Sequence, residues 1–230
     1  MQPYLFPYLG YFQLLRAADR FVVYDDVAFI KQGWINRNQI LVGGSAFRFS
    51  VPLDDASSFR PIMSVHVDGR RYHPWLRKFL ATVDQSYRRA PFYREVRSLV
   101  ANTLSGFEGS IAALALRTIE ATADYLNVDT EIVATSASYG NEELHGQGRV
   151  IDICLREQAS DYVNLSGGRS LYSSAAFGAH GIQLRFLETN KIQYAQLGQS
   201  FVPNLSIIDV MMFNTPGQLA ELLRSYTLSP

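Results

Sequence analysis

Cysteine occurs once in the 230 residues, at Cys154, so the chain has no intramolecular disulfide and no cysteine-rich metal site. Lysine is nearly as scarce, at positions 31, 78 and 191 only, and arginine supplies the rest of the positive charge. The 21 basic and 21 acidic residues cancel to a formal net charge of zero. That balance argues against a protein held to nucleic acid or an anionic membrane by bulk electrostatics. No apolar run reaches the roughly 18 residues that a membrane span needs, and no signal peptide opens the sequence. The expected compartment is therefore the cytoplasm. The common catalytic signatures are missing too. There is no GxxxxGK[ST] or GxGxxG phosphate loop, no HExxH and no GxSxG elbow. Histidines 66, 73, 145 and 180 share no metal-ligand spacing, so no metal site is expected.

Aromatic residues are concentrated in the first dozen positions, MQPYLFPYLGYF. Pro3 and Pro7 fix φ and push their preceding residues towards extended geometry, and Gly10 frees the backbone before a helix expected over Tyr11–Ala18. Such a rigid loop can present ring faces to a ligand, with Gln2, Tyr4 and Tyr11 as the groups involved. It can equally be a terminus packed on the core through its rings. The run Arg20–Tyr24 then reads as a buried strand ending at Asp25 and Asp26. Helix, strand and polar loop is the grammar of an α/β layer, in which ligands gather at the carboxyl ends of strands. A strand should precede the first helix. It is expected to be very short or to lie upstream of Met1.

Residues 25–38 (DDVAFIKQGWINRN) crowd two carboxylates, Lys31, Trp34, Asn36, Arg37 and Asn38 into one stretch. Beyond it, Gln39–Val42 and Ala46–Pro52 alternate around Gly43–Gly44, a hairpin signal. From about residue 72 to 127 the period becomes helical, with Pro74 at a first-turn position, a break at Ala90–Pro91 and Ala- and Leu-rich helices after it. A strand over Thr130–Ser136, a helix over Arg149–Glu157, a strand over Asp161–Leu165 and a further strand over Ile182–Leu187 follow, and the strand–helix–strand order implies parallel pairing. The expected architecture is one α/β domain over 1–230, a mainly parallel layered sheet with an inserted helical subregion at about 72–127.

The Asp161–Leu165 strand runs into Ser166-Gly-Gly-Arg169, whose N–H groups could form an anion nest with Arg169 as clamp and Tyr172 close behind. Arg37 is a second candidate anion clamp, and Asn36 and Asn38 are candidate positioning amides. Asp26 or His73 would act as general base. Cys154 lies between Ile153 and Leu155 on an apolar helix face and reads as a small buried hydrophobe. Ser206 is a candidate N-cap for the helix that follows it.

Several of these stretches together resemble the WbqC-like protein family along nearly the whole chain. The marks are Gln2-Pro3, Pro7, Gly10-Tyr11-Phe12, the Asp19–Asp26 strand and Trp34-x-Asn36-Arg37-Asn38. Val51-Pro52, Tyr87 with Pro91, Tyr162–Gly167 with Tyr172, and Ser206-Ile-Ile-Asp209 complete them. The family pattern carries a few residues before its Gln-Pro pair that make a first strand. Association of the family with surface-polysaccharide and O-antigen clusters implies a transferase, moving an acyl or aminoacyl unit to an amino sugar. The partner would be a small molecule, a sugar nucleotide or an acyl or aminoacyl donor, with no cofactor specified. A non-catalytic ligand-binding or scaffold protein of the same pathway is the alternative.

Overall fold

The opening segment is where the fold is tied together. The computed structural model describes residues 1–198 and 200–230. Leu5, Phe6, Tyr11 and Phe12 are fully buried there. Phe6 has a φ of 41°, a left-handed value that a side chain tolerates only when its surroundings enforce it. Three distant side chains do so. The Phe6 N–H donates to Thr118 Oγ1 at 3.0 Å, and the Phe6 carbonyl accepts from Asn38 Nδ2 at 2.7 Å and Ser206 Oγ at 2.8 Å. Asn38 Nδ2 also reaches the Leu5 carbonyl at 3.0 Å. The Phe6 N–H and the Leu5 and Phe6 carbonyls thus all find side-chain partners, as buried backbone outside secondary structure requires.

Helix α1 (Leu9–Arg16) follows at once, then strand β1 (Arg20–Val22). Gly10 has a packing reason. A Cβ there would lie 2.6 Å from the Tyr8 ring and 2.8 Å from Thr189 Oγ1. Gly10→Ala must therefore displace the Tyr8 ring and the Thr189 side chain or move α1, and is expected to cost about 1–3 kcal/mol of stability in urea denaturation, despite alanine's better helix propensity.

Strands β2 (Arg37–Val42) and β3 (Ser45–Ser50) form the hairpin the sequence announces, turning at Gly43 and Gly44 with φ of 59° and 80°. A short antiparallel pair follows, β4 (Leu53–Asp54) with β5 (His66–Val67). The helical region is α2 (Gly69–Tyr87), α3 (Tyr93–Leu104) and α4 (Ile111–Tyr125). Pro74 does not open α2. Asp68 caps that helix, its Oδ1 accepting from the Arg70 and Arg71 N–H groups, and Pro74 sits inside. The three helices share one continuous core with the opening segment: Tyr72, Val83, Val96, Leu104 and Ile119 pack in it with Leu5 and Phe12.

Strand β6 (Glu131–Val133) pairs in parallel with β1. Helix α5 (Gly146–Arg156), strand β7 (Asp161–Leu165), short helix α6 (Ser174–Gly178) and strand β8 (Gln183–Thr189) follow, with β7 and β8 parallel. Helices α7 (Ile207–Phe213) and α8 (Pro216–Leu222) lead to β9 (Tyr226–Ser229), antiparallel to β8. Ser206 caps α7, accepting from the Ile208 N–H.

The chain is a mixed α/β protein, but the expectation of one mainly parallel layered sheet needs correction. Among the described residues the strands fall into four sheets of two or three strands, and parallel pairing is confined to β1–β6 and β7–β8. The physical reason is local. Among the described residues β1 pairs with β6 alone, and β7 pairs with β8 alone, so no strand joins the two parallel pairs. A second, smaller core of Ile151, Cys154, Phe177, Ile182, Leu184 and Phe186 forms under α5, α6 and the β7–β8 pair.

Candidate functional site

A cleft of about 1660 Å³ takes its walls from both cores. One side is β1 with Met1, Gln2, Tyr4 and Tyr8; the other is α5, β7 and the turn Ser166–Gly168. Tyr24 and Trp34 stand at the carboxyl end of β1, and Asn164, Ser166 and Tyr172 at that of β7. The opening segment, the stretch after β1 and the stretch after β7 therefore meet at one place, the mouth of the cleft.

Neutral hydrogen-bonding groups dominate that mouth. Tyr162 Oη donates towards Tyr172 Oη at 3.3 Å and accepts from Asn164 Nδ2 at 3.2 Å. The Tyr162 ring is stacked on Phe177, its centroid 5.2 Å away. Burial raises the pKa of Tyr4, Tyr24 and Tyr162 and pushes Tyr8 up to about 12, so these phenols stay protonated and offer O–H rather than phenolate. Cys154 also lines the cleft. Burial lifts its thiol to about 11, which leaves it a small hydrophobe rather than a nucleophile, as its flanking residues imply.

The cleft's arginines are both engaged. Arg20 bridges Glu131 and Glu157, and Arg185 pairs with Asp161 at 2.7 Å. Asp19 and Glu188 line the cleft as well, without an ion-pair partner among the described residues. The balance is acidic. No group of three or more potential metal ligands occurs among the described residues, and none of the described helices is long and apolar enough to cross a membrane.

The residues singled out from the sequence divide into two sets. Gln2, Tyr4, Trp34, Ser166 and Tyr172 line the cleft. Tyr11 stands behind it, fully buried, its hydroxyl donating to the Gln2 carbonyl at 3.0 Å. The others hold structure together. Asn36 Nδ2 donates to the Val51 carbonyl, Arg37 Nε to the Gly33 carbonyl, and Asn38 clamps the Leu5–Phe6 turn. Arg169 turns away to Ser229 and Pro230, its guanidinium 4.4 Å above the Phe186 ring. Lys31 is exposed outside the cleft, and His73 lies on the exposed face of α2.

Asp26 is built into a buried network. One carboxylate oxygen accepts from Ser136 Oγ and the other pairs with Arg149, the two side chains being 8% and 3% exposed. Arg149 Nε donates to Asn141 Oδ1 at 2.9 Å, and Asn141 Nδ2 donates to Asp152 at 2.6 Å. The guanidinium of Arg149 also lies 5.1 Å from the centre of the Tyr24 ring. A buried cation thus sits against an aromatic ring that lines the cleft, a contact that fixes the ring's place. Sequence reading singled out none of Arg149, Tyr24, Tyr162 and Asn164 as site residues. The one available signal was period-two alternation, which puts Tyr162 and Asn164 on the same face of β7.

Comparison with known proteins gives kinship without a known activity. The chain is 26% identical over 222 residues to an uncharacterized protein, Rv1507c, of Mycobacterium tuberculosis, a match covering 95% of this chain and 93% of that one. No solved structure matches it. The model of the WbqC-like protein family matches residues 2–221, and the chain belongs to that family.

Proposed function

We propose that this protein is a transferase of glycan or related small-molecule biosynthesis that holds an amino sugar in the mouth of the cleft while it receives an acyl or aminoacyl unit. The observation that carries the reading is the convergence of the opening segment, Tyr24–Trp34 and Asn164–Tyr172 on one cleft. Aromatic faces suit the apolar faces of a sugar ring, and protonated phenols and amides suit its hydroxyls. The unpaired Asp19 and Glu188 favour a ligand with an ammonium group over one with a diphosphate, since the cleft's arginines are spent on carboxylates. In this reading Tyr24, Trp34, Asn164, Ser166 and Tyr172 bind substrate, and Arg149 with Asp26 positions Tyr24.

A second reading, ligand binding without catalysis, rests on one further observation. Neither candidate base is free in the cleft, because both oxygens of Asp26 are engaged and His73 lies outside it. Thermal-shift titration with amino sugars, their nucleotide-linked forms, and acyl and aminoacyl donors separates the possibilities. An amino sugar is expected to stabilise the protein, and Trp34→Ala and Tyr172→Phe each to weaken that binding about tenfold, the loss of roughly 1.4 kcal/mol. Turnover of donor with the bound sugar supports transfer. Binding with no turnover of any pair supports the second reading, and no shift with any amino sugar overturns the first.

A further inference from the structure

Arg37 and Arg169, the expected anion clamps, are spent on other groups, but two further arginines have no such duty. Arg88 and Arg89 follow α2 and line a second cavity of about 720 Å³. The Gly43–Gly44 turn forms another wall, and Leu197 and Gly198 a third. No carboxylate lines this cavity, and among the described residues neither guanidinium has an ion-pair partner. Asp84, one turn before Arg88, is held instead by Arg97 and Tyr93. A cation after a helix C-terminus offsets the helix dipole. That role does not require two arginines on one cavity with no acid beside them.

The remaining walls add neutral donors. Gly43 and Gly44 have φ of 59° and 80°, and among the described residues neither N–H has a hydrogen-bond partner. A Cβ at either glycine would meet nothing within 4 Å, so the backbone of the turn is open to a ligand. Ser86 also lines the cavity, and its hydroxyl is buried with no partner among the described residues. A helical serine can bond back to the carbonyl four residues earlier, and this one does not. The frame is fixed from behind, because the Leu41 N–H donates to Tyr87 Oη at 2.7 Å and so ties β2 to the end of α2. Gly198 comes close to the turn, where a Cβ on it would lie 3.5 Å from the Gly44 Cα.

We propose that this cavity binds the phosphate ester of a sugar or similar polyol. Arg88 and Arg89 donate to the phosphate oxygens from one side, and the Gly43 and Gly44 N–H groups donate from the other. Two guanidinium groups match the nearly double charge of a phosphate monoester at neutral pH. Gln85 and Ser86 supply an amide and a hydroxyl for the polyol. No aromatic ring lines the cavity to stack a nucleobase, which favours a sugar phosphate over a nucleotide. The volume suits a ligand of that size. The cavity shares no lining residue with the large cleft, so its ligand does not depend on what the cleft binds.

Amide chemical-shift titration of the full chain with glucose 1-phosphate, glucose and inorganic phosphate tests the assignment. Glucose 1-phosphate is expected to shift the Gly43 and Gly44 amides to saturation, and added salt to weaken it. Arg88→Ala combined with Arg89→Ala should weaken that binding at least about tenfold. Both arginines are exposed, so the folded spectrum should survive, and the corresponding pair of lysine substitutions should restore part of the affinity. Trp34→Ala, in the cleft, should leave the glucose 1-phosphate titration unchanged. Glycine amides that do not move, or equal affinity in the double alanine variant, overturn the proposal. Glucose binding as tightly as its phosphate ester overturns the role of the arginines, and inorganic phosphate binding as tightly overturns that of the polyol.

Discussion

Arg149→Ala is expected to cost about 3–5 kcal/mol of folding stability, measured by urea denaturation at neutral pH. The loss is large because the substitution removes one partner of a buried pair and leaves the other. Asp26, whose side chain is 8% exposed beside Arg149, keeps Ser136 Oγ as its one remaining side-chain donor, and Asn141 loses the donor to its Oδ1. Replacing both members tests this account. Asp26→Ala combined with Arg149→Met removes both charges and keeps the aliphatic bulk beneath Tyr24. The double variant is expected to lie closer to wild type than Arg149→Ala does, and a double-mutant cycle will give a coupling energy of the same sign. If the double variant is as unstable as the sum of the singles, the pair is not what matters there. Because Arg149 also touches the Tyr24 ring, ligand binding to the double variant should weaken even where stability recovers. A purely structural role would leave binding unchanged.

The same network marks the limit of reading this chain as a sequence. Local signals were legible where local physics decides. The Gly43–Gly44 hairpin, the helical period from about 72 to 127 and the Ser206 cap each follow from propensity, periodicity or turn chemistry. The start of α2 was misplaced by the pull of Pro74, because Asp68 fixes that end through two backbone N–H groups. What could not be read was pairing across distance. Asp26 and Arg149 are 123 residues apart, and Phe6 is held by groups 32, 112 and 200 residues away. A dense polar stretch such as residues 25–38 looks the same in sequence whether its side chains face a ligand or satisfy buried carbonyls. Asn38 and Arg37 do the second, and Trp34 lines the cleft. The single parallel sheet failed for a related reason. Strand grammar places strands in order along the chain but does not say which edges meet, and β6 pairs with β1 rather than with β7.

Asp209→Ala is expected to be nearly as damaging, at about 3–5 kcal/mol, because it removes a buried acceptor shared by three donors, of which the Tyr87 hydroxyl is itself buried. Asp209 is fully buried on α7, with Tyr87 Oη donating to Oδ1 at 2.8 Å, and Tyr194 Oη and Gln196 Nε2 each donating to Oδ2 at 2.7 Å. Tyr87 Oη in turn accepts from the Leu41 N–H, so the network ties α2, β2 and α7 together. Burial is the largest influence on the carboxyl and raises its pKa, against the opposing pull of its three donors. The sign of the pH dependence follows. The folded protein holds the Asp209 proton at pH values where the unfolded chain has released it. This group's contribution is therefore complete below the unfolded value and is lost as pH rises through the folded one. Asp209→Asn cannot titrate, so wild-type stability minus that of the variant should grow as pH falls from neutral through the raised Asp209 range. Asp25, also raised by burial, contributes with the same sign in both proteins and cancels in the difference. A difference that is flat with pH would mean that the donors balance the burial, and one that shrinks on acidification that they outweigh it and hold Asp209 as a carboxylate.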